Sequence, residues 1–168
     1  MEFRKATMAD ADGILKIIRQ AQAYLKSRGI DQWQNNYPNL ETIQKDIREQ
    51  IGYVLVKDSL LLGTAAVSFD GERTYDRIYE GEWKSIQPYA VVHRIAVREE
   101  YKGQGLSSVM LEQIEEICLE RGVHSIKVDT HEENLSMQKL LEKNGFAYCG
   151  VIYLEDHSKR IGFEKILA

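Results

Sequence analysis

The spacing of apolar residues predicts two amphipathic helices in the first part of the chain. Thr7 and Asp10, three positions apart, resemble a capping box, and Gly29 follows the last turn of the periodic run. The apolar positions of this first helix are Ile14, Leu15, Ile18, Ala21 and Leu25. A second helix is predicted to open at Pro38-Asn39 and to carry Ile43 and Ile47 on its apolar face.

Apolar runs of strand length predict a hairpin and a buried strand in the middle of the chain. Residues 53–57 and 60–69 form the hairpin, which turns at Asp58-Ser59, and residues 89–97 form the buried strand. Residues 70–88 are polar, acidic and weakly periodic. They predict a long loop, with at most a short strand inside it.

Helices and strands alternate in the remaining sequence. A helix is predicted from about residue 106 to 121, followed by a strand over 123–129 and a short helix over 134–144 that stops at Gly145. Two strands, 147–154 and 160–167, end the chain. The order is ααββ and then βαβαββ, which predicts an α/β domain with a mixed sheet.

Length and charge narrow the classes of function. A chain of 168 residues predicts one domain, residues 1–168. A net charge of −4 gives no general attraction to nucleic acid or to an anionic membrane. No apolar run approaches the ~20 residues that span a bilayer, and Met1–Lys5 lacks the apolar core of a signal peptide. We therefore expect a cytoplasmic protein with neither nucleic acid nor membrane as a partner.

Cysteine and histidine positions favour neither a disulfide nor a metal site. Cys118 lies on the apolar face of the third helix and Cys149 lies in a strand, so both are expected to be reduced, packed thiols. The histidines, His93, His124, His131 and His157, lack the spacing of metal ligands.

The segment Lys102–Ser108 carries the strongest chemical signal. It contains Gly103 and Gly105 and connects the buried strand to the third helix. The first N–H groups of a helix have no intrahelical partner and lie at the positive end of the helix dipole. Glycines allow a phosphate to approach such a backbone closely, so the segment is a candidate cradle for a pyrophosphate.

Two common phosphate-binding motifs do not explain this turn. A Walker A loop requires Gly-Lys-Ser/Thr, which is absent. A dinucleotide fold is approached by Gly103-x-Gly105-x-x-Ser108, with Asp129 ending the next strand. However, serine replaces the third glycine, and five residues separate the strand from the turn.

Four motifs in order resemble the GNAT superfamily of acyl-coenzyme-A-dependent N-acyltransferases. Lys102–Ser107 is similar to the family's Arg/Gln-x-x-Gly-x-Gly/Ala signature, and His93–Val97 precedes it as in the family. Asn134 and Gly145-Phe146 match a second segment, and the terminal pair of strands is also similar. The position where the family has a tyrosine holds Leu141.

The resemblance implies a fold and a reaction. The fold is the acyl-CoA N-acyltransferase-like α/β fold, in which helices flank a mixed and splayed central sheet. The reaction is direct transfer of an acetyl group from acetyl-CoA to a primary amine of a small molecule or peptide, without a metal. Homodimers are common in the family. Since Leu141 cannot donate a proton, a non-catalytic acyl-CoA-binding module is the alternative, and a protein-interaction domain whose glycine turn binds nothing is a third hypothesis.

The resemblance also assigns residues to coenzyme A. The pantetheine arm pairs like an added strand with the backbone of the buried strand, and the glycine turn holds the pyrophosphate. Lysines meet the adenosine phosphates as point charges. Asn134 either caps its helix or contacts the cofactor, or one side chain does both in turn. The cofactor-binding residues expected are Ile95, Ala96, Val97, Lys102, Gly103, Gln104, Gly105, Leu106, Ser107, Ser108, Asn134, Lys139 and Lys143.

Catalytic roles are assigned from residue type and place. His93, two residues before Ile95, is the first choice of base, directly or through water; a histidine bonded to a backbone carbonyl would explain the same residue. Glu82 and Glu80 are the second choices. Candidates for the proton donor to the thiolate are Tyr153, Tyr148, Cys149 and water. Trp33 and Tyr37 are candidate acceptor-pocket residues, and the acidic residues Glu72, Asp76, Glu80 and Glu82 would attract a cationic amine.

Overall fold

The computed structural model describes residues 1–168 and contains seven strands and four helices. The strands are β1 (Glu2–Lys5), β2 (Gly52–Lys57), β3 (Leu60–Ser68), β4 (Ala90–Val97), β5 (Ser125–Thr130), β6 (Ala147–Tyr153) and β7 (Lys159–Ile166). The helices are α1 (Ala11–Ser27), α2 (Leu40–Arg48), α3 (Leu106–Glu120) and α4 (Leu135–Lys143). Short 3-10 turns occur at Met8–Asp10, Arg73–Tyr75 and Glu99–Tyr101.

The strands form one open, mixed sheet in the order β1-β2-β3-β4-β5-β7-β6. β2 is antiparallel to β1 and β3, and β7 is antiparallel to β5 and β6. β4 and β5 are parallel, with Ala90 opposite Ile126 and Val91 opposite Lys127. The predicted α/β class with a mixed sheet is therefore confirmed.

β1 is the one strand that the sequence pattern did not predict. Its four residues, Glu2–Lys5, are mostly polar and show no alternation of apolar and polar positions. The strand forms because it pairs with the edge of β2, from Glu2 opposite Val56 to Lys5 opposite Tyr53. A strand that depends on a partner about 50 residues away leaves little signal in its own sequence.

Two compact units make up the chain. The first comprises residues 1–67 and 93–113, and the second comprises residues 68–92 and 114–168, so β4 and α3 contribute residues to both. The prediction of a single domain over residues 1–168 stays a prediction.

The first unit has an isoleucine-rich core between its helices and strands. Asp10 accepts a hydrogen bond from the Thr7 amide at 2.8 Å, which forms the predicted capping box at the short 3-10 turn that leads into α1. Asn39 caps α2 by accepting from the Thr42 amide at 3.1 Å. The buried core residues are Ala11, Ile14, Ile17, Ile18, Ile43, Val54 and Ala96. Helical spacing places these isoleucines on the inner faces of α1 and α2.

In the second unit the segment 70–88 is irregular, as predicted, but it is firmly attached. Tyr75 is buried with Val91 and Ile152 in one core cluster, and the Trp83 indole N–H donates to the Tyr75 carbonyl at 2.9 Å. Tyr79 and Val151 exchange two backbone hydrogen bonds of 2.8 Å, so the segment also pairs with β6.

Three further observations bear on the expected class of protein. Cys118 and Cys149 are free and buried, which confirms the predicted packed thiols. None of the helices combines the length and apolar character needed to cross a bilayer. The His, Cys, Asp and Glu side chains form no group of three or more that could hold a metal ion.

Candidate active site

A kink in the middle of β4 is the most unusual backbone feature of the first unit. Six of the eight residues of this strand are buried, and only the adjacent His93 and Arg94 are partly exposed. Arg94 has φ +51°, in the left-handed region that non-glycine residues rarely adopt. Such a residue interrupts the alternation of side chains along a strand and re-aims its neighbours, as a β-bulge does.

The Arg94 side chain is held by residues of α2 and of the α1–α2 connection. Its Nε and Nη2 donate to the two Asp46 carboxylate oxygens at 2.8 and 2.7 Å, and its Nη1 donates to the Tyr37 hydroxyl at 3.2 Å. The ion pair is well shielded, because the side chains of Arg94 and Asp46 are only 15% and 13% exposed. A two-point ion pair of this kind fixes the orientation of the guanidinium as well as its place.

His93 lies next to this pair and is neutral at physiological pH. Burial, together with the positive charge of Arg94, lowers the pKa of His93 from 6.5 to about 4. The ring forms no hydrogen bond with the protein, so the alternative of a carbonyl-bonded histidine does not apply. An unprotonated imidazole on this strand can accept a proton at pH 7, although with a weaker affinity than the ordinary pKa of histidine implies.

We expect His93 to make the protein less stable in acid. Between pH 6.5 and about 4 the unfolded chain protonates this histidine and the folded chain does not, so stability is lost as the pH falls through that window. Allowing for partial exposure, the loss is on the order of 2 kcal/mol. The His93→Gln variant should lose less stability than the parent between pH 7 and pH 4.5, as measured by urea unfolding. His124→Gln, at a histidine outside this site, is the control, and equal losses in parent and His93→Gln would contradict the prediction.

The glycine turn lies between β4 and α3, as the sequence predicted. Gly103 and Gly105 have φ +80° and +75°, and an added Cβ at either position would meet no atom within 4 Å. The first hydrogen bond of α3 runs from the Val109 amide to the Gly105 carbonyl at 3.1 Å. The amides of Leu106 and Ser107 therefore lie outside the intrahelical ladder, at the positive end of α3 and beside open space.

α1 fastens the link between β4 and this turn. The Gln20 side chain accepts from the Glu99 amide at 2.9 Å and donates to the Glu100 carboxylate at 3.0 Å. Lys102, an expected phosphate ligand, places its Nζ 4.1 Å from the centre of the Tyr24 ring. The turn is thus held from the side of α1 rather than left as a free loop.

The two candidate acceptor-pocket aromatics have different roles. Trp33 packs against the core cluster of the first unit, so its bulk is structural there. Tyr37 is 48% exposed and contacts Arg94 through its hydroxyl, which brings it beside the kink of β4. Within the first unit, His93, Arg94, Tyr37 and the glycine turn therefore belong to one framework of α1, α2 and β4.

The second unit contains the remaining residues expected to contact coenzyme A. Asn134 caps α4 by accepting from the Met137 amide at 3.2 Å, so the capping role is present. Lys139 and Lys143 lie on the same helix. Leu141, at the family's tyrosine position, is 1% exposed and belongs to the core.

The candidate proton donors and carboxylates also lie in the second unit. Tyr153 is partly exposed and meets the Tyr79 ring edge-on, with the ring centres 5.4 Å apart, while Tyr148 meets Phe163 in the same way at 5.9 Å. Burial raises the pKa of the Cys149 thiol. Glu82 and Glu80 are exposed.

Sequence reasoning missed a buried polar network in the second unit. The Glu164 carboxylate is 0% exposed and accepts hydrogen bonds from the Lys84 amide at 2.7 Å and from the hydroxyls of Ser85 and Ser125 at 2.7 and 2.6 Å. Opposite Glu164, Lys127 lies with its ammonium 4.4 and 4.0 Å from the ring centres of Trp83 and Tyr89.

A second part of this network involves the end of β5. The Tyr75 hydroxyl donates to the Asp129 carboxylate at 2.6 Å, and burial raises the pKa of that carboxyl. Ser125, Lys127 and Asp129 alternate with other residues along β5, so a polar face of a buried strand was the available signal. Asp46 and Arg94 left no such signal, because they are 48 positions apart.

Comparison with known proteins agrees with the resemblance seen in the sequence. The model of the Acetyltransferase (GNAT) family matches residues 16–146. The S-alkylcysteine N-acetyltransferase of Bacillus subtilis (strain 168) is 30% identical over 120 residues, 70% of this chain and 60% of that protein. The match thus spans about 60% of the length of this curated relative.

Solved structures give the same fold. A GNAT-family acetyltransferase from Streptococcus agalactiae 2603 superposes with a TM-score of 0.91 at 34% identity, covering 99% of this chain and 95% of that one. The PaiA N-acetyltransferase from Thermoplasma acidophilum, solved in complex with coenzyme A, gives 0.73 at 18% identity over 98% of both chains. The predicted fold class is confirmed, and the chain belongs to the acetyltransferase (GNAT) family.

Proposed function

We propose that this protein transfers an acetyl group from acetyl-CoA directly to a primary amine of a small molecule or peptide, with residues 1–168 acting as one catalytic domain. The observation that carries the proposal is the glycine turn before α3. Its two left-handed glycines adjoin open space, and helix amides outside the intrahelical ladder border that space. This is the arrangement that a pyrophosphate requires.

The residues of this chain fit the rest of the cofactor. Amides of residues 103–108 hold the pyrophosphate, and Lys102, Lys139 and Lys143 supply positive charge for the adenosine phosphates. The backbone of Ile95, Ala96 and Val97 pairs with the amides of the pantetheine arm. Asn134 contacts the cofactor in addition to capping α4.

The proposed reaction moves the acetyl group from the thioester sulfur to the amine nitrogen in one transfer. The amine nitrogen attacks the thioester carbonyl, a C–N bond forms, the C–S bond breaks, and the amine proton ends on the departing thiolate. An amide of β4 near Ile95 stabilises the oxyanion, and His93 takes the amine proton directly or through water. Tyr153 is our choice of proton donor to the thiolate. This tyrosine is 42% exposed.

One observation favours a second candidate function. Because Leu141 is buried in the core, the family's tyrosine acid has no counterpart at that position. A module that binds acyl-CoA and does not turn it over would keep the glycine turn and need no acid. The exposed Glu82 retains a place in the catalytic proposal as the alternative base.

Incubation with acetyl-CoA and a panel of primary amines tests both functions. S-alkylcysteines lead the panel, because the Bacillus subtilis relative bears that acceptor in its name; a polyamine and a short peptide complete it. We expect free thiol to be released with one acceptor class, and mass spectrometry to find that acceptor heavier by the mass of a single added acetyl group. The His93→Ala variant should turn over about 100-fold more slowly.

A thermal melt separates the remaining outcomes. Coenzyme A at 100 times its dissociation constant should add about 2.7 kcal/mol to the stability of the folded protein. Stabilisation without turnover of any amine would favour the non-catalytic module. A melt that coenzyme A does not shift would count against the cofactor site itself.

A further inference from the structure

We propose that Arg94 and Tyr37 form a binding site for a carboxylate of the acceptor, so that the substrate is an amino acid rather than a simple alkylamine. This site rests on the proposed acetyltransferase function and goes beyond it by naming the acceptor class. It lies within the first unit, one residue along β4 from the proposed base, His93.

The Arg94 guanidinium has unused capacity for hydrogen bonds. It has five N–H donors, and three hydrogen bonds to Asp46 and Tyr37 are formed. Two N–H groups, one on each terminal nitrogen, remain. Arginine presents such groups in a planar fork that matches the two oxygens of a carboxylate.

The guanidinium fork is also oriented in advance. Both carboxylate oxygens of Asp46 accept hydrogen bonds from one edge of the guanidinium, which leaves the Arg94 side chain little rotational freedom. Arg94 and Asp46 also line a cavity of about 20 Å³, which has room for about one water molecule and is otherwise lined largely by apolar residues of α1, α2 and β3. Asp46 therefore acts as a positioning residue for the guanidinium.

The outer side of the pair is accessible. Tyr37 is 48% exposed, and its hydroxyl accepts a hydrogen bond from Arg94 while its own proton stays available for donation. The kink at Arg94 makes this residue and His93 the only partly exposed positions of β4. A carboxylate on Arg94 and Tyr37 would hold an α-amino group only two bonds away from its carboxyl carbon, near the proposed base.

The test compares three acceptors that differ only at the carboxylate. These are S-methylcysteine, its carboxamide, and 2-(methylthio)ethylamine, each assayed for kcat/KM with acetyl-CoA. We expect the wild-type protein to prefer S-methylcysteine by about 100-fold, because an oriented guanidinium loses charge-assisted hydrogen bonds with the other two. In Arg94→Gln the preference should fall to within about threefold, with an unchanged KM for acetyl-CoA.

Companion variants guard against loss of folding. Arg94→Gln leaves Asp46 shielded and unpaired, so the double variant Arg94→Gln/Asp46→Asn removes both charges together. Tyr37→Phe should lower the preference by several-fold and leave the ion pair intact. Arg48→Gln, at another arginine close in sequence to Asp46 on α2, is the matched control and should retain the wild-type preference.

Each outcome decides the question. A wild-type protein that acetylates all three acceptors equally well would overturn the carboxylate site and leave the acetyltransferase function standing. The same holds if the folded Arg94→Gln variant, or the double variant, keeps the preference. If none of the three acceptors, nor the polyamine or the peptide, is acetylated, the proposed function fails and the carboxylate site fails with it.

Discussion

Replacing Gly105 by valine is expected to weaken coenzyme A binding by about 100-fold or more. The glycine has φ +75°, and its Cβ position faces open space rather than protein. A valine side chain there would occupy the space in which we place the pyrophosphate and keep it from the amides of α3. Loss of two charge-assisted hydrogen bonds, each about 1.5–3 kcal/mol, gives a loss of this size.

The matched control for this variant is Gly29→Val. Gly29 has φ +69° and lies in the same unit, and a Cβ added there would likewise meet no atom within 4 Å. Both variants carry the same backbone penalty, about 1–2 kcal/mol for a side chain in the left-handed region. Only Gly105→Val should change the dissociation constant for coenzyme A, as measured by isothermal titration calorimetry. Equal affinities for coenzyme A in the two variants would place the cofactor elsewhere.

The largest effect on stability is expected at Glu164. Truncation to alanine in Glu164→Ala removes the acceptor for the Lys84 amide and for the Ser85 and Ser125 hydroxyls. It also takes away the carboxylate of the residue paired with the buried Lys127. Each buried donor left without a partner costs about 1–3 kcal/mol, and partial hydration of the site offsets part of this cost. We therefore expect the free energy of unfolding to fall by about 3–5 kcal/mol.

Chemical denaturation measures this loss, and two controls calibrate it. Glu164→Gln keeps one acceptor oxygen and should lose clearly less stability than alanine. Glu155→Ala, at an exposed glutamate, should change the unfolding free energy by less than about 0.5 kcal/mol. A Glu164→Ala protein as stable as the wild type would mean that the buried network does not hold the segment 70–88 in place.

Sequence reasoning predicted the elements whose signals are local. The long periodic run of α1 and the glycines at its end and beside α3 placed the boundaries within a few residues of those observed. β1 was not predicted, because its short polar sequence becomes a strand only through pairing with β2. The attachment of the segment 70–88 was not predicted for a similar reason. Glu164, which accepts hydrogen bonds from this segment, is about 80 residues further along the chain.

The candidate site divides in the same way. The position of the glycine turn at the start of α3 was predicted, because the glycines and the helical periodicity after them are local signals. The positive φ angles of Gly103 and Gly105 come from the structure. Burial within β4 lowers the pKa of His93 from 6.5 to about 4, and that burial cannot be predicted from the residue type and its position alone. The ion pair between Asp46 and Arg94 requires α2 to lie against β4, and no short-range sequence pattern predicts such a contact.

The pairing of Tyr79 with Val151 has a consequence for how copies of the protein can associate. β6 is the terminal strand of the sheet, and unprotected terminal strands invite another chain to continue the ladder, which leads to aggregates. Here the backbone of Tyr79 already forms hydrogen bonds with the N–H and C=O groups of Val151. Gly150, which has no side chain, allows the segment around Tyr79 to lie close to β6. A homodimer built by sheet continuation through the middle of β6 is thereby blocked, so self-association would have to use a different surface.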